Sequence, residues 1–171
     1  ITLTGTASGT IAVTGFTGVV TDFSEINTVD GRSGNDVITL VDGASIADLR
    51  GGSGLDTLNG PASGATFNVT ALDAGDVSGG ATVTAFSQIE NLNGAAGVAD
   101  MFTLAANSIL SGNLNGGDVV GPNILTLNDG SQVLGTVQNV DVNLNAAGSN
   151  DDENFTVEVN SSTGRLQGVI E

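Results

Sequence analysis

The stretch GGSGLDTLN, Gly51 to Asn59, sets three glycines in four positions and an aspartate two residues after the last of them. Those residue types at that spacing suit the capture of a hard cation. Glycine reaches positive φ without a Cβ clash, so successive carbonyl oxygens can be turned toward one point. The aspartate then closes a cage of oxygens. Twenty residues earlier GRSGNDVIT, Gly31 to Thr39, repeats the pattern with Arg32 in place of the second glycine. Calcium takes about six to eight oxygen ligands, more than one such corner can supply. An ion would therefore sit between two stacked corners: Asp36 with the Gly31 and Ser33 carbonyls from one, Asp56 with the Gly51 and Ser53 carbonyls from the next. Asp76, a further 20 residues on, extends the same spacing and is a third acidic candidate.

These residues also have a plainer role. Glycine and aspartate are ordinary turn formers, Asp caps its own turn through side-chain bonds to the backbone, and a tight corner needs them with no metal present. What must hold the corners in place is a set of short strands. GTIAVTG, DVITLV, ATFNVTA, GATVTAF, ILTLN, VDVNLN and NFTVEV alternate apolar and polar residues between turn formers, each reading as a strand of about five residues. Helical periodicity is broken throughout by the 26 glycines.

The strands fall into a long repeat. FSEINTVDGRSGNDVITL (Phe23 to Leu40) superposes on FSQIENLNGAAGVADMFTL (Phe86 to Leu104) and more loosely on VQNVDVNLNAAGSNDDENFTV (Val137 to Val157). Asn27, Asn91 and Asn143 correspond and suggest an amide ladder; Ile38, Phe102 and Phe155 correspond as well. We therefore expect an all-β fold, a right-handed parallel β-solenoid of about 20 residues per coil. It would form a single domain over 1–171 of three degenerate repeats (about 1–60, 61–130 and 131–171). The rival is an antiparallel β-sandwich, which strands at this spacing also fit. The 20-residue return of glycine and aspartate favours stacked, identical corners. Inward positions are expected at Ile26, Ile38, Leu49, Leu58, Phe67, Val69, Phe86, Ile89, Phe102, Leu104, Leu114, Leu125, Leu127, Val140 and Phe155.

Composition narrows the chemistry. Three arginines, Arg32, Arg50 and Arg165, and no lysine stand against 19 Asp plus Glu, for a formal charge of −16. No basic patch for nucleic acid or anionic lipid can be assembled from that set. Apolar residues make up 39% of the chain, too many for acidic disorder. Cysteine and histidine are absent, which removes disulfides, zinc sites and Ser/Cys–His nucleophiles. Carboxylate pairs such as Asp73/Asp76 or Asp151/Glu153 could act as acid and base on a polysaccharide. The Trp and Tyr that usually stack sugar rings are missing, so an enzyme is not expected. Asp151, Asp152 and Glu153 form a second cation candidate or a solvated loop. Asn68, Asn154 and Asn160 open glycosylation-like triplets that an Asn/Thr-rich chain produces by chance.

The paired corners Gly31–Thr39 and Gly51–Asn59 resemble the calcium-binding nonapeptide of RTX proteins, secreted bacterial toxins, proteases, adhesins and surface-layer proteins whose tandem repeats wind a parallel β-roll around calcium. The rest of the chain is similar to the Gly/Asn/Thr/Val-rich β-solenoid repeats of bacterial surface-layer and adhesin proteins. The resemblance implies calcium as ligand and a secreted, cell-surface location. With it goes a structural role as a self-associating segment of a surface layer, adhesin or filament. Partners would be further copies or repeats, and a glycan or cell-surface ligand. Neither ITLTGTASG nor GRLQGVIE carries the charge or proline of an end cap, which points to end-to-end stacking. A calcium-triggered secretion or carrier module is the alternative, and a polysaccharide-active β-helix enzyme the remote one.

Overall fold

The computed structural model describes residues 1–12, 20–118, 122–145, 155–160 and 165–170. The described residues form strands and turns without a helix, so the all-β expectation holds. Glycine, Asn and Asp cut the alternating apolar pattern every few residues, and strands are accordingly short. An antiparallel meander comes first, β1 (Thr2–Gly5), β2 (Ser8–Ala12) and β3 (Val20–Phe23). The chain then crosses back and forth through β4 (Thr28–Asp30), β5 (Val37–Leu40), β6 (Ser45–Arg50) and β7 (Thr57–Asn59). A second antiparallel meander follows, β8 (Ala65–Ala71), β9 (Ala74–Gly79) and β10 (Thr82–Ser87). Crossing resumes with β11 (Asn91–Asn93), β12 (Met101–Leu104), β13 (Ile109–Leu110), β14 (Leu114–Asn115) and β15 (Ile124–Asn128). It continues through β16 (Gln132–Val133), β17 (Val137–Gln138) and β18 (Asp141–Asn145). The hairpin of β19 (Phe155–Asn160) and β20 (Arg165–Ile170) pairs antiparallel with itself.

Two eight-stranded sheets result. Sheet A runs β17-β14-β11-β7-β5-β1-β2-β3, and sheet B runs β18-β15-β12-β8-β9-β10-β6-β4. In sheet A the six strands from β17 to β1 are parallel, which a purely antiparallel sandwich would not give. Sheet B is mixed, because the β8–β9–β10 meander lies between two parallel blocks, and the two sheets remain separate rather than closing into one wound wall. The 20-residue step holds where it was read: Val37 pairs with Thr57, and Thr28 with Asp48. Beyond Asn59 it lengthens. Leu58 pairs with Leu92 across the inserted meander, then Leu92 with Leu114 and Leu114 with Val137.

The core lies between the sheets as columns of like residues. Ile38, Leu58, Leu92 and Leu114 stack along sheet A, all buried, with Val137 packed against them. Along sheet B, Phe67 faces Phe102 in register and their rings stack at 4.9 Å with 6° between planes; Leu125 follows. A fully buried side chain of this size contributes about 1.5–3 kcal/mol, so these columns carry most of the stability. The expected inward residues are buried with three exceptions. Ile26 is 39% exposed, because it sits in the bend before β4 and Val29 fills the core place instead. Val140 is only partly buried against the core, and the Phe155 side chain lies outside the described set.

The long repeat superposes correctly in sequence but not in space. Gly31–Asp36 leads from sheet B to sheet A, whereas Gly94–Asp100 leads from sheet A to sheet B. One corner motif therefore serves both sides of the stack. Ile38 and Phe102 consequently sit in different sheets, and the three asparagines do not meet. Asn27 and Asn143 are exposed on the sheet B side, and Asn91 begins a strand of sheet A. Amide ladders form with other partners, Asn91 taking part in one of them. The Asn93 amide donates to Asn59 Oδ1 (2.8 Å), the Asn59 amide to Thr39 Oγ1 (3.2 Å), and the Asn113 amide to Asn91 Oδ1 (3.2 Å).

Candidate metal centre

The two glycine corners lie directly over one another, as the oxygen-cage argument requires. Ser33 bridges Ser53 in parallel; the Gly34 N–H donates to the Ser53 carbonyl (2.9 Å) and the Ser53 N–H to the Arg32 carbonyl (2.8 Å). Three glycines of the two corners take positive φ, Gly34 (108°), Gly52 (111°) and Gly54 (145°). Arg32, which replaces the second glycine of the pattern, nonetheless takes φ of 73°, and its N–H is held by Asp30 Oδ1 at 2.9 Å. A left-handed conformation costs a non-glycine residue about 1–2 kcal/mol. The upper corner thus keeps the glycine backbone without the glycine.

Asp36 and Asp56 are consecutive rungs of one column. The Asp36 N–H donates to Asp56 Oδ1 at 2.7 Å, and the Asp56 N–H donates to Glu90 Oε2 at 2.7 Å. Asp56 and Glu90 each thereby satisfy the corner N–H of the rung before, an N–H that the strand ladder leaves over. Asp56 is fully buried. The second carboxylate oxygen of each aspartate, Asp36 Oδ2 and Asp56 Oδ2, is buried and has no hydrogen-bond partner. Both lie in cradles that a side chain would fill. A Cβ on Gly31 would fall 2.6 Å from Asp36 Oδ2 and 2.5 Å from the Gly51 carbonyl, and a Cβ on Gly51 would fall 2.6 Å from Asp56 Oδ2. Burial, and then the neighbouring Asp56 charge, raise the pKa of Asp36 above the ordinary carboxylate value.

Two buried carboxylate oxygens without partners, stacked in one column, fit a hard cation. Among the described residues no three Asp or Glu groups converge on one point, so such an ion would take its remaining ligands from carbonyls and water. The Ser53 carbonyl, one of the expected ligands, already accepts the Gly34 N–H, leaving it one free lone pair.

Asp76 is not brought to this column. It lies in β9, opposite Asn68 of β8, and accepts the Asn68 amide at 2.7 Å. Asp73, at the β8–β9 turn, accepts both the Ser111 N–H and the Ser111 hydroxyl at 2.7 Å, a structural clasp between neighbouring layers. Asp151, Asp152 and Glu153 fall outside the described residues. Glu90 is the member that the 20-residue spacing overlooks, because the β8–β10 meander places it 34 residues after Asp56. A local signal for it exists: DTLNG from Asp56 and ENLNG from Glu90 share the acid, the Leu, the Asn and the Gly at the same places.

Comparison with family models, with curated proteins and with solved structures returns no match to the chain, and the column is therefore read on its own chemistry.

Proposed function

We propose that this chain is a non-catalytic structural segment of a secreted or cell-surface protein, a right-handed parallel β-solenoid interrupted by one meander, which binds calcium at the Asp36/Asp56 column and associates with further copies of itself. The observation that carries the reading is the pair of buried, partnerless oxygens, Asp36 Oδ2 and Asp56 Oδ2, one rung apart. A divalent ion there would add positive charge to a column of Asp36, Asp56 and Glu90, beyond that of the Ile1 ammonium, which is held at the Val37 carbonyl and acts on Asp36. Arg50 is committed to Asp48 instead, in an exposed pair at 2.5 Å. The ligands would be Asp36, Asp56 and carbonyls among Gly31, Ser33, Gly51 and Ser53. Structural use is supported by residue types: an acidic surface, stacked short strands, and none of the His, Cys, Lys, Trp or Tyr on which most catalysis and sugar binding depend.

The test is a calcium titration that follows thermal stability and particle size together, against magnesium and chelator. Extracellular calcium modules bind at about 10⁻⁴–10⁻³ M, so millimolar calcium should add about 0.4–1.4 kcal/mol. The gain should disappear in the double variant Asp36→Asn/Asp56→Asn. An identical melting curve with and without calcium, at a concentration of ten millimolar or so, removes calcium from the proposal. A monomer at every concentration, with or without calcium, removes self-association.

A further inference from the structure

The apolar columns run out at β18. This strand pairs with β15 along its length, from Ile124 with Asp141 to Asn128 with Asn145, and is the edge of sheet B. The register sets Val142 over Leu125 and Leu144 over Leu127. Leu125 and Leu127 are 1% and 6% exposed, whereas Val142 and Leu144 are 49% and 42% exposed. Two residues in core register therefore face water on a strand edge, an arrangement that invites another strand.

We propose that the β19–β20 hairpin is that strand's source: β19 adds antiparallel to β18, pairing Leu144 with Phe155 and Val142 with Val157, and caps the stack. Four observations select this occupant over a second copy of the chain. Register in the hairpin pairs Phe155 with Ile170, Val157 with Gly168 and Val159 with Leu166, so the apolar residues of β19 stand at alternate places along the strand. Val142 and Leu144 of β18 have the same period of two. Charge points the same way. From Phe155 to Ile170 the chain holds one acid, Glu158, and one base, Arg165, a neutral segment in a chain of −16. A second copy would instead bring its full negative charge to the edge.

Reach is sufficient. Nine residues, 146–154, join β18 to β19 and can span about 30 Å, against the roughly 5 Å between Leu144 and Phe155 as antiparallel partners. Tethering at that length keeps the hairpin at an effective concentration on the order of millimolar. Finally, the opposite end of the stack uses the same device, because sheet A is closed beyond β1 by the antiparallel pair β2–β3. On the self-association reading above, the hairpin is then a competitor for the end by which copies would stack, and holds the chain apart until displaced.

The chain contains no cysteine, so introduced thiols are the only ones present. In the full chain, Val142→Cys with Val157→Cys should form an intramolecular disulfide under mild oxidation. The control, Leu55→Cys with Val157→Cys, places one thiol at the Gly51–Asp56 corner and should stay reduced. Equal oxidation of both pairs, or oxidation only to covalent dimers, overturns the proposal. Hydrogen exchange on the unmodified chain is independent of any variant. Amides of Asp141 to Asn145 should be protected as well as those of Ile124 to Asn128, and exchange at the rate of a free edge counts against the cap. Sedimentation of Val157→Asp/Val159→Asp separates the two readings. Association of the variant but not of the parent supports both. Equal association of the two refutes the cap. No association of either, with the 142–157 disulfide formed, leaves the cap standing and removes self-association.

Discussion

Two corners built from the same residue pattern differ in how their carboxylates are used. At Gly94–Asp100, both oxygens of the buried Asp100 accept backbone N–H groups: Oδ1 from Ala65 and Oδ2 from Ala95, each at 2.8 Å. The next rung is Asn123, whose Oδ1 accepts the Asp100 N–H (2.9 Å) while its amide donates to the Asp118 and Asn139 carbonyls. At Gly31–Asp36 and Gly51–Asp56, the buried Oδ2 of each aspartate has no partner and the rung after Asp56 is a third acid, Glu90. One corner is complete as a network of hydrogen bonds; the other is complete only with a positive charge or a proton added. Glycine at the same spacing thus makes the turn in both, and the neighbouring rung decides whether the turn can also hold an ion.

What the corners share is the close approach of a glycine to the carboxylate. Gly51→Ala and Gly94→Ala each push a Cβ into a carboxylate and, at Gly51, into the Gln88 carbonyl, and should each cost about 1–3 kcal/mol or more in urea unfolding. If either is neutral, the close approach of the carboxylate to glycine is not a constraint there.

Next comes the difference between them. Asp100→Ala strands the buried Ala65 N–H and the half-buried Ala95 N–H and should lose about 2–4 kcal/mol, the buried donor alone accounting for roughly 1–3 kcal/mol. Asp56→Asn keeps an acceptor for the Asp36 N–H and removes a like charge, so in chelator its unfolding free energy should change by less than about 1 kcal/mol, upward. Matching losses in the two variants would erase the distinction between the corners.

Calcium should then separate them on a smaller scale. The response of about 0.4–1.4 kcal/mol should vanish in Asp56→Asn and persist in Asp100→Asn when followed by thermal melting. Calcium sensitivity lost in Asp100→Asn alone would move the site to the other side of the stack.

The smallest effect is on pH. Asp36 and Asp100 both have pKa values raised chiefly by burial, opposed at Asp100 by the Ala65 and Ala95 N–H groups. A carboxyl whose folded pKa lies above its unfolded value binds more protons when folded, so stability falls as pH rises from the unfolded value of 3.8 through the folded one. In chelator, acidification from neutrality toward that value should raise the melting temperature. With calcium bound at Asp36 the slope should flatten, since the ion takes the place of the proton. A melting temperature that drops over the same interval would show that other carboxylates, ionised and paired in the fold, outweigh these two.

Much of the architecture was written in local patterns. Alternation between turn formers specified short strands, and the buried places of Ile38, Leu58, Phe67, Phe102, Leu104 and Leu125 followed from it, because period-two patterning places residues on a face without reference to any partner. Ile26 broke the pattern because a bend, not a strand, carries it. The stacking of Asp36 over Asp56 was also legible, since one uninterrupted 20-residue step separates them.

Other features depended on what lies between. The chain alone determined that glycine-cornered strands would form and that acids would occupy the corners, because φ preference and alternation act within a few residues. Which corner sits over which was decided only in three dimensions. The β8–β9–β10 meander adds length inside one layer, so Glu90 rather than Asp76 completes the acidic column. The same addition precedes the point where the glycine motif changes sides, Gly94–Asp100 lying opposite Gly51–Asp56. Residues that look equivalent along the chain meet only when the path between them has equal length, and that length is a property of the folded layers.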